Sequence, residues 1–276
     1  MKDIRLIALD LDGTLLDSKK RISPRNRAAL IECMERGIEV VPCTGRIWSA
    51  VPDFIRELPG LHYAITVNGA VVEDLVHGHV LDEQKMSAEK AVEILEMAKG
   101  FHTMYDVYVG GRGFGEQRFM EHMEDYEISA ELQKMIINTR IIVPDVTELV
   151  KEKAQPVEKI NYFFGDPQER LRARKALMER GDVLVTASFS NNLEINEPGA
   201  AKGEAVQRLA AHLGLELHRT MGFGDGENDL SLICQTGIGV AMENAVVPLK
   251  EAADYVTLTN DEDGVAAALE ALLGIW

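Results

Sequence analysis

The chain has 276 residues, with 29 Lys and Arg against 45 Asp and Glu, which gives a formal charge of −16. At 46 % hydrophobic and 27 % charged it has the balance of a folded globular protein, long enough for one large or two modest domains. The acidic excess argues against nucleic-acid and anionic-membrane partners, since both surfaces demand clustered Lys and Arg.

The opening Met1-Lys2-Asp3-Ile4-Arg5 is charged at once and leads into only a short apolar run. It reads as neither a signal peptide nor a membrane span, which needs about 20 apolar residues. Cys33, Cys43 and Cys234 are far apart, odd in number and form no CxxC pair, so a cytoplasmic, reducing setting is expected.

Residues 4–9 form a nearly continuous apolar run, as expected of a strand buried on both faces of a parallel sheet, and it ends in Asp10. Ser23-Pro24 predicts a helix N-cap with proline in the first turn, and Gly37 a stop. A strand over 38–43, a helix near 47–57, a strand over 63–67 and a hairpin around His77-Gly78 follow. The strand–helix rhythm returns after about residue 190, with Leu193-Glu194-Ile195 ahead of helices near 202–213 and 227–236 and a strand over 219–223. Two strand–helix units over 238–251 and 254–273 complete it. The pattern predicts an α/β core of residues 1–81 and 190–276 built on a Rossmann-like parallel sheet. The 82–189 stretch has a different texture, Met- and Glu-rich with a glycine cluster at 110–115, and reads as an inserted domain.

The chemistry-bearing residues fall at strand ends and helix starts. Asp10-Leu11-Asp12-Gly13-Thr14-Leu15 places two carboxylates at i and i+2 beyond the first strand, where open α/β sheets bind ligands. One carboxylate can attack phosphorus and the second can move a proton, although the same pattern serves as an ordinary Gly-Asp turn. Gly222-Phe223-Gly224-Asp225-Gly226-Glu227-Asn228-Asp229 offers carboxylates four apart, suited to Mg²⁺ or to a solvated helix start. Thr44-Gly45-Arg46 has the makings of a phosphate cradle at the second strand end. Lys202-Gly203 opens a helix with an ammonium able to offset phosphoryl charge.

Together these segments resemble the haloacid dehalogenase superfamily, in particular its Cof-type phosphatases with a C2 cap, over essentially the whole chain. The resemblance implies an α+β cap over 82–189 that sets specificity. It also implies a Mg²⁺-dependent phosphatase acting on a small phosphate ester through an aspartyl-phosphate. Asp10 is then the nucleophile and Asp12 the general acid/base. Thr44, Gly45, Lys202 and Asn228 bind phosphate, and Asp10, the Asp12 carbonyl and Asp225 hold the metal. Asp229 supports the metal site or Lys202, and Asn68 lies near the site as a candidate substrate contact. A sugar phosphomutase and a non-catalytic phosphometabolite-binding regulator are the other readings. Arg46 and Trp48 are candidate substrate contacts at the mouth, and Arg112, Glu116, Asn161 and Tyr162 are candidates in the cap. His77 and His79 read as a solvent-facing hairpin pair rather than a metal site.

Overall fold

The computed structural model describes residues 3–275, so Met1 and Lys2 of the charged start lie outside the described residues, as does Trp276. The chain divides into two compact units. The first comprises residues up to Arg46, Val51–Glu83 and Ala201 onward; the second comprises Ile47–Ala50 and Gln84–Ala200.

The first unit is built on a five-stranded parallel sheet. Its strands run in the order Tyr255–Val256, Ile238–Ala241, Thr220–Gly224, Leu6–Leu9 and Glu39–Pro42. Leu6–Leu9 pairs on both sides and is wholly buried, which is why its sequence is apolar throughout. Ser23 caps the helix Pro24–Glu35 by accepting from the N–H of Asn26, with Pro24 in the first turn. A three-stranded antiparallel sheet, Tyr63–Thr66, Val71–Asp74 and His79–Glu83, adjoins the parallel sheet through a bridge between Cys43 and Ile65. His77 sits in its hairpin turn, where Nδ1 lies 2.8 Å from Asp74.

The second unit has a six-stranded sheet, ordered Leu184–Thr186, Asn192–Asn196, Val157–Phe163, Met104–Val109, Arg112–Glu116 and Arg140–Val143. All of its pairings are antiparallel except the last. The glycine cluster makes a two-residue hairpin turn, with Gly110 and Gly111 at φ +60° and +70°, a conformation that costs glycine little. Tyr105, Val107, Ile160, Tyr162, Leu193 and Ile195 belong to one apolar cluster. The alternate residues are polar yet also buried: Asp106 pairs with Arg140 at 2.7 Å, and Lys159 with Glu194 at 2.6 Å.

Three expectations need correction. The helix near 47–57 is instead a turn of 3₁₀ helix, Trp48–Ala50, and a four-residue helix, Asp53–Arg56. Pro52 separates them, because it lacks an N–H and disfavours helical backbone in Val51. The strand around 193–195 belongs to the second unit, where it pairs antiparallel with Val157–Phe163, so the first unit resumes at Ala201 rather than at 190. Its Asn-Leu-Glu-Ile-Asn alternation is the period of an antiparallel strand, unlike the unbroken apolar run of Leu6–Leu9. The helix near 227–236 begins only at Leu230, after a 3₁₀ turn over Glu227–Asp229. Among the described residues, no helix is long and apolar enough to cross a membrane.

Candidate active site

Sheet register brings the motifs to one edge. Leu9 lies opposite Phe223 on one side and Pro42 on the other, so three neighbouring parallel strands end level with one another. The N–H of Asp10 donates to the carbonyl of Phe223 (3.0 Å), and that of Cys43 to the carbonyl of Leu9 (2.7 Å). Asp10 and Asp225 therefore follow directly from two adjacent strand ends, and Thr44 lies two residues past the third.

Lys202 sits in the first turn of the helix Lys202–His212, fully buried, and its ammonium is shared between two carboxylates. Nζ donates to Oδ1 of Asp10 at 2.7 Å and to Oδ1 of Asp229 at 2.5 Å. The other oxygen of Asp229 accepts the backbone N–H groups of Asp225 (3.0 Å) and Gly226 (2.9 Å), which tightens the loop after Gly224. Asp229 is thus spent on holding Lys202 and the Asp225 loop. Burial opposes the charge on Lys202, but the carboxylates of Asp10 and Asp229 raise its pKa above the ordinary lysine value.

Asp10, Asp225 and Asp229 present carboxylate oxygens that all lie within 4.8 Å of one another. Burial pushes the Asp10 carboxyl well above its usual range; Lys202 pulls it back, while Asp229 and Asp225 add to the rise. Burial and the neighbouring Asp229 push Asp225 up to about 7. One oxygen of Asp225 accepts the Thr14 hydroxyl at 2.8 Å. The other faces Gly13, whose φ is +84° and where a Cβ would come within 2.3 Å of Asp225 Oδ2. Gly13→Ala is expected to displace that carboxylate and weaken divalent-cation binding by roughly 10–100-fold, as measured by titration calorimetry. Unaltered affinity would show that this contact does not set the carboxylate.

Asp12 is turned to a different set of partners. Arg46 grips it with Nε on Oδ2 (2.7 Å) and Nη2 on Oδ1 (2.7 Å), and Lys20 adds its ammonium to Oδ1 at 2.8 Å. Burial alone would raise this carboxyl, but the Arg46 fork and Lys20 bring it down to about 2.

Thr44 is buried, and its hydroxyl accepts the N–H of Arg46 at 3.2 Å. The following loop is locked onto it: the N–H of Asn68 donates to the carbonyl of Thr44, and the N–H of Val67 to that of Arg46, each at 2.9 Å. Val67 and Asn68 both adopt left-handed backbone, φ +52° and +64°, and such strain in a β-branched residue persists only where surrounding contacts enforce it. The amide of Asn68 accepts from Asn228 Nδ2 at 3.2 Å, which links the third strand end to the Asp229 loop.

Asp10, Asp12, Thr44, Gly45, Arg46, Asn68, Lys202, Asn228 and Asp229 all lie in the first unit with Asp225. The candidates in the other unit fare differently. Tyr162 packs in the apolar cluster, its hydroxyl on the carbonyl of Ile94. Glu116 is spent on Arg118 (2.6 Å) and the N–H of Val146 (3.0 Å), and Arg112 is exposed. Asn161 donates to Asp106 on the polar sheet face. Trp48 lies in the 3₁₀ turn grouped with that unit. Sequence reasoning assigned nothing to Thr14, although it stands in the first motif, nor to Lys20, which carries no local signal.

A family model of haloacid dehalogenase-like hydrolases matches residues 7–269. The chain belongs to this family. Phosphatase YwpJ of Bacillus subtilis is 33 % identical, over 98 % of this chain and all of that protein. The 5-amino-6-(5-phospho-D-ribitylamino)uracil phosphatase YcsE of the same organism is 30 % identical, over 97 % of this chain and 95 % of its own. A solved haloacid dehalogenase-like hydrolase from B. subtilis superposes with a TM-score of 0.87 at 31 % identity, covering 98 % of this chain and 100 % of that one. As a class, this family member is a hydrolase of the phosphatase type.

Proposed function

We propose that the chain hydrolyses a small phosphate monoester, a sugar phosphate or similar phosphometabolite, with Mg²⁺ bound and through an aspartyl-phosphate on Asp10. The observation that carries this reading is Lys202, buried between Asp10 and Asp229 and beside the loop of Asp225. A lone structural ion pair needs one carboxylate. Here three converge, and the raised pKa of Asp10 and Asp225 marks a site short of positive charge.

An all-oxygen donor set of this kind fits a hard divalent cation. Among the described residues, Lys202 engages one oxygen of Asp10 and Thr14 one of Asp225, so the second oxygen of each suits the metal, joined by the Asp12 carbonyl. Bound there, Mg²⁺ would neutralise developing charge on the transferred phosphoryl group. In the first step a carboxylate oxygen of Asp10 attacks phosphorus in line and the ester P–O bond breaks, while Asp12, which takes up a proton from solvent once the ester is bound, gives that proton to the departing alkoxide. In the second, Asp12 takes a proton from water as the water oxygen attacks phosphorus. The bond to Asp10 then breaks, releasing inorganic phosphate. Lys202 holds Asp10 and, with the Thr44 hydroxyl, the Gly45 backbone and Asn228, binds phosphoryl oxygens.

The first unit is the proposed catalytic core and the second the proposed source of selectivity for the alcohol. The phosphatase names of the relatives favour water over a second sugar hydroxyl as acceptor, and so hydrolysis over a mutase. The relative YcsE adds 5-amino-6-(5-phospho-D-ribitylamino)uracil to the esters to be tried. The free thiols, with Cys33 and Cys43 buried, suit a cytoplasmic setting. Phosphate release is measured across sugar, nucleotide, flavin and pyridoxal phosphates with saturating Mg²⁺ and with EDTA. At least one ester is expected to turn over, and chelation to abolish it; no release from any ester sinks the proposal.

The same electrostatics predict a pH effect. The Asp225 carboxyl titrates higher folded than unfolded, near 7 against 3.8. Its contribution to stability is therefore fully present below the unfolded value and is lost as pH rises through about 7. Metal-free protein is expected to lose thermal stability between about pH 4 and 7 and to level off once the folded carboxyl ionises, and saturating Mg²⁺ is expected to flatten the decline. Parallel pH profiles with and without Mg²⁺ would contradict this.

A further inference from the structure

Asp12 and Arg46 form a pairing that the proposed reaction cannot use as it stands. Among the described residues, the side chains that donate to Asp12 are cationic: Arg46 Nε holds Oδ2, while Arg46 Nη2 and Lys20 Nζ hold Oδ1. A carboxyl that passes a proton to an alkoxide needs one oxygen released from such partners. The Arg46 side chain is mostly buried, 15 % exposed, and the backbone N–H of Arg46 donates to the Thr44 hydroxyl in the expected phosphate cradle. A guanidinium fork matches carboxylate and phosphate geometry equally, so an arriving phosphate is a direct competitor for Asp12. Lys20 stands at the rim, half-exposed, on left-handed backbone (φ +58°) within the turn closed by Asp17.

We propose that Arg46 is an exchangeable clamp: it locks Asp12 in the free protein and transfers its fork to the phosphate when an ester binds, freeing Asp12 for proton transfer. This inference rests on the proposed phosphatase reading and adds to it a positioning residue that ties acid/base competence to phosphate occupancy. Phosphate and Asp12 compete for the same Nε/Nη2 fork, so seating phosphate on that fork costs the bidentate Asp12 pair. The hydrolytic machinery is thereby held back until phosphate is seated.

The test is a double-mutant cycle on the full chain, read as equilibrium binding of inorganic phosphate by calorimetry in saturating Mg²⁺. Asp12→Asn removes the competitor and is expected to tighten phosphate about tenfold, while Arg46→Ala weakens it about tenfold, the scale of one charge-assisted contact. In the Arg46→Ala background, Asp12→Asn is expected to change affinity by no more than about twofold, because there is no fork left to release. Arg46→Lys keeps the charge without the fork. It is expected to fall between the two, and serves if the alanine variant does not fold. Equal tightening by Asp12→Asn with and without Arg46 would mean simple charge removal and overturns the exchange. So does phosphate affinity indifferent to Arg46, or no phosphate binding by the wild-type protein. Normal ester turnover beside an additive cycle defeats only the clamp, whereas absent turnover beside a coupled cycle defeats only the phosphatase reading.

Discussion

Asp10→Asn is expected to lower ester turnover by about 10⁴-fold or more while leaving the fold intact. The substituted amide keeps the size of the carboxyl and retains an oxygen for the Lys202 bond, now 2.7 Å long. It lacks the negative charge of a carboxylate and is a far weaker nucleophile, so no acyl phosphate forms. Burial and the nearby Asp229 and Asp225 already press Asp10 toward its neutral form. A neutral replacement relieves that repulsion, and metal-free stability is expected to hold or rise. Single-turnover assays with p-nitrophenyl phosphate and Mg²⁺, with thermal denaturation as the control, measure both parts. Wild-type rates in a folded Asp10→Asn protein would remove Asp10 from the nucleophile role.

Lys202→Met carries the second large effect, this time on both stability and activity. Its ammonium is wholly buried and is bonded to Asp10 and Asp229. Methionine matches the volume but strands two buried carboxylates, and breaking such an arrangement from one side costs about 3–5 kcal/mol. Urea unfolding is expected to show that loss at neutral pH, and phosphate release to fall below detection. The combined Lys202→Met, Asp229→Asn protein is expected to regain much of the stability without the activity, since only one unpaired carboxylate then remains. If the single variant unfolds like the wild type, the buried ammonium is not what holds these carboxylates together.

How far the sequence carried the reading differs from residue to residue. Asp10, Thr44 and Asp225 were legible because each ends an apolar run, and an α/β sheet presents such ends on one edge. Lys202 was legible as a helix-opening lysine. Its division between Asp10 and Asp229 was not, since those partners lie 192 and 27 residues away. Asp229 was expected in support of the metal site or of Lys202, and its oxygens are taken by Lys202 and two backbone N–H groups. The strand Asn192–Asn196 belongs to the second unit, and its two-residue alternation, the mark of an antiparallel strand, is the local signal for it. The break at Pro52 was readable from the proline alone.

By itself, then, the sequence determined which residue types stand at strand ends and helix starts, for these depend on local periodicity, capping and turn chemistry. It also determined the charge of −16. Only the tertiary structure decided the partners. Parallel register brought Asp10, Thr44 and Asp225 to one sheet edge, packing placed Lys202 between Asp10 and Asp229 with Asp225 close by, and it gave Asp12 to Arg46 and Lys20. Ion pairing is set by distance in space and by the loss of water around the pair. Neither is encoded in the spacing of residues along the chain.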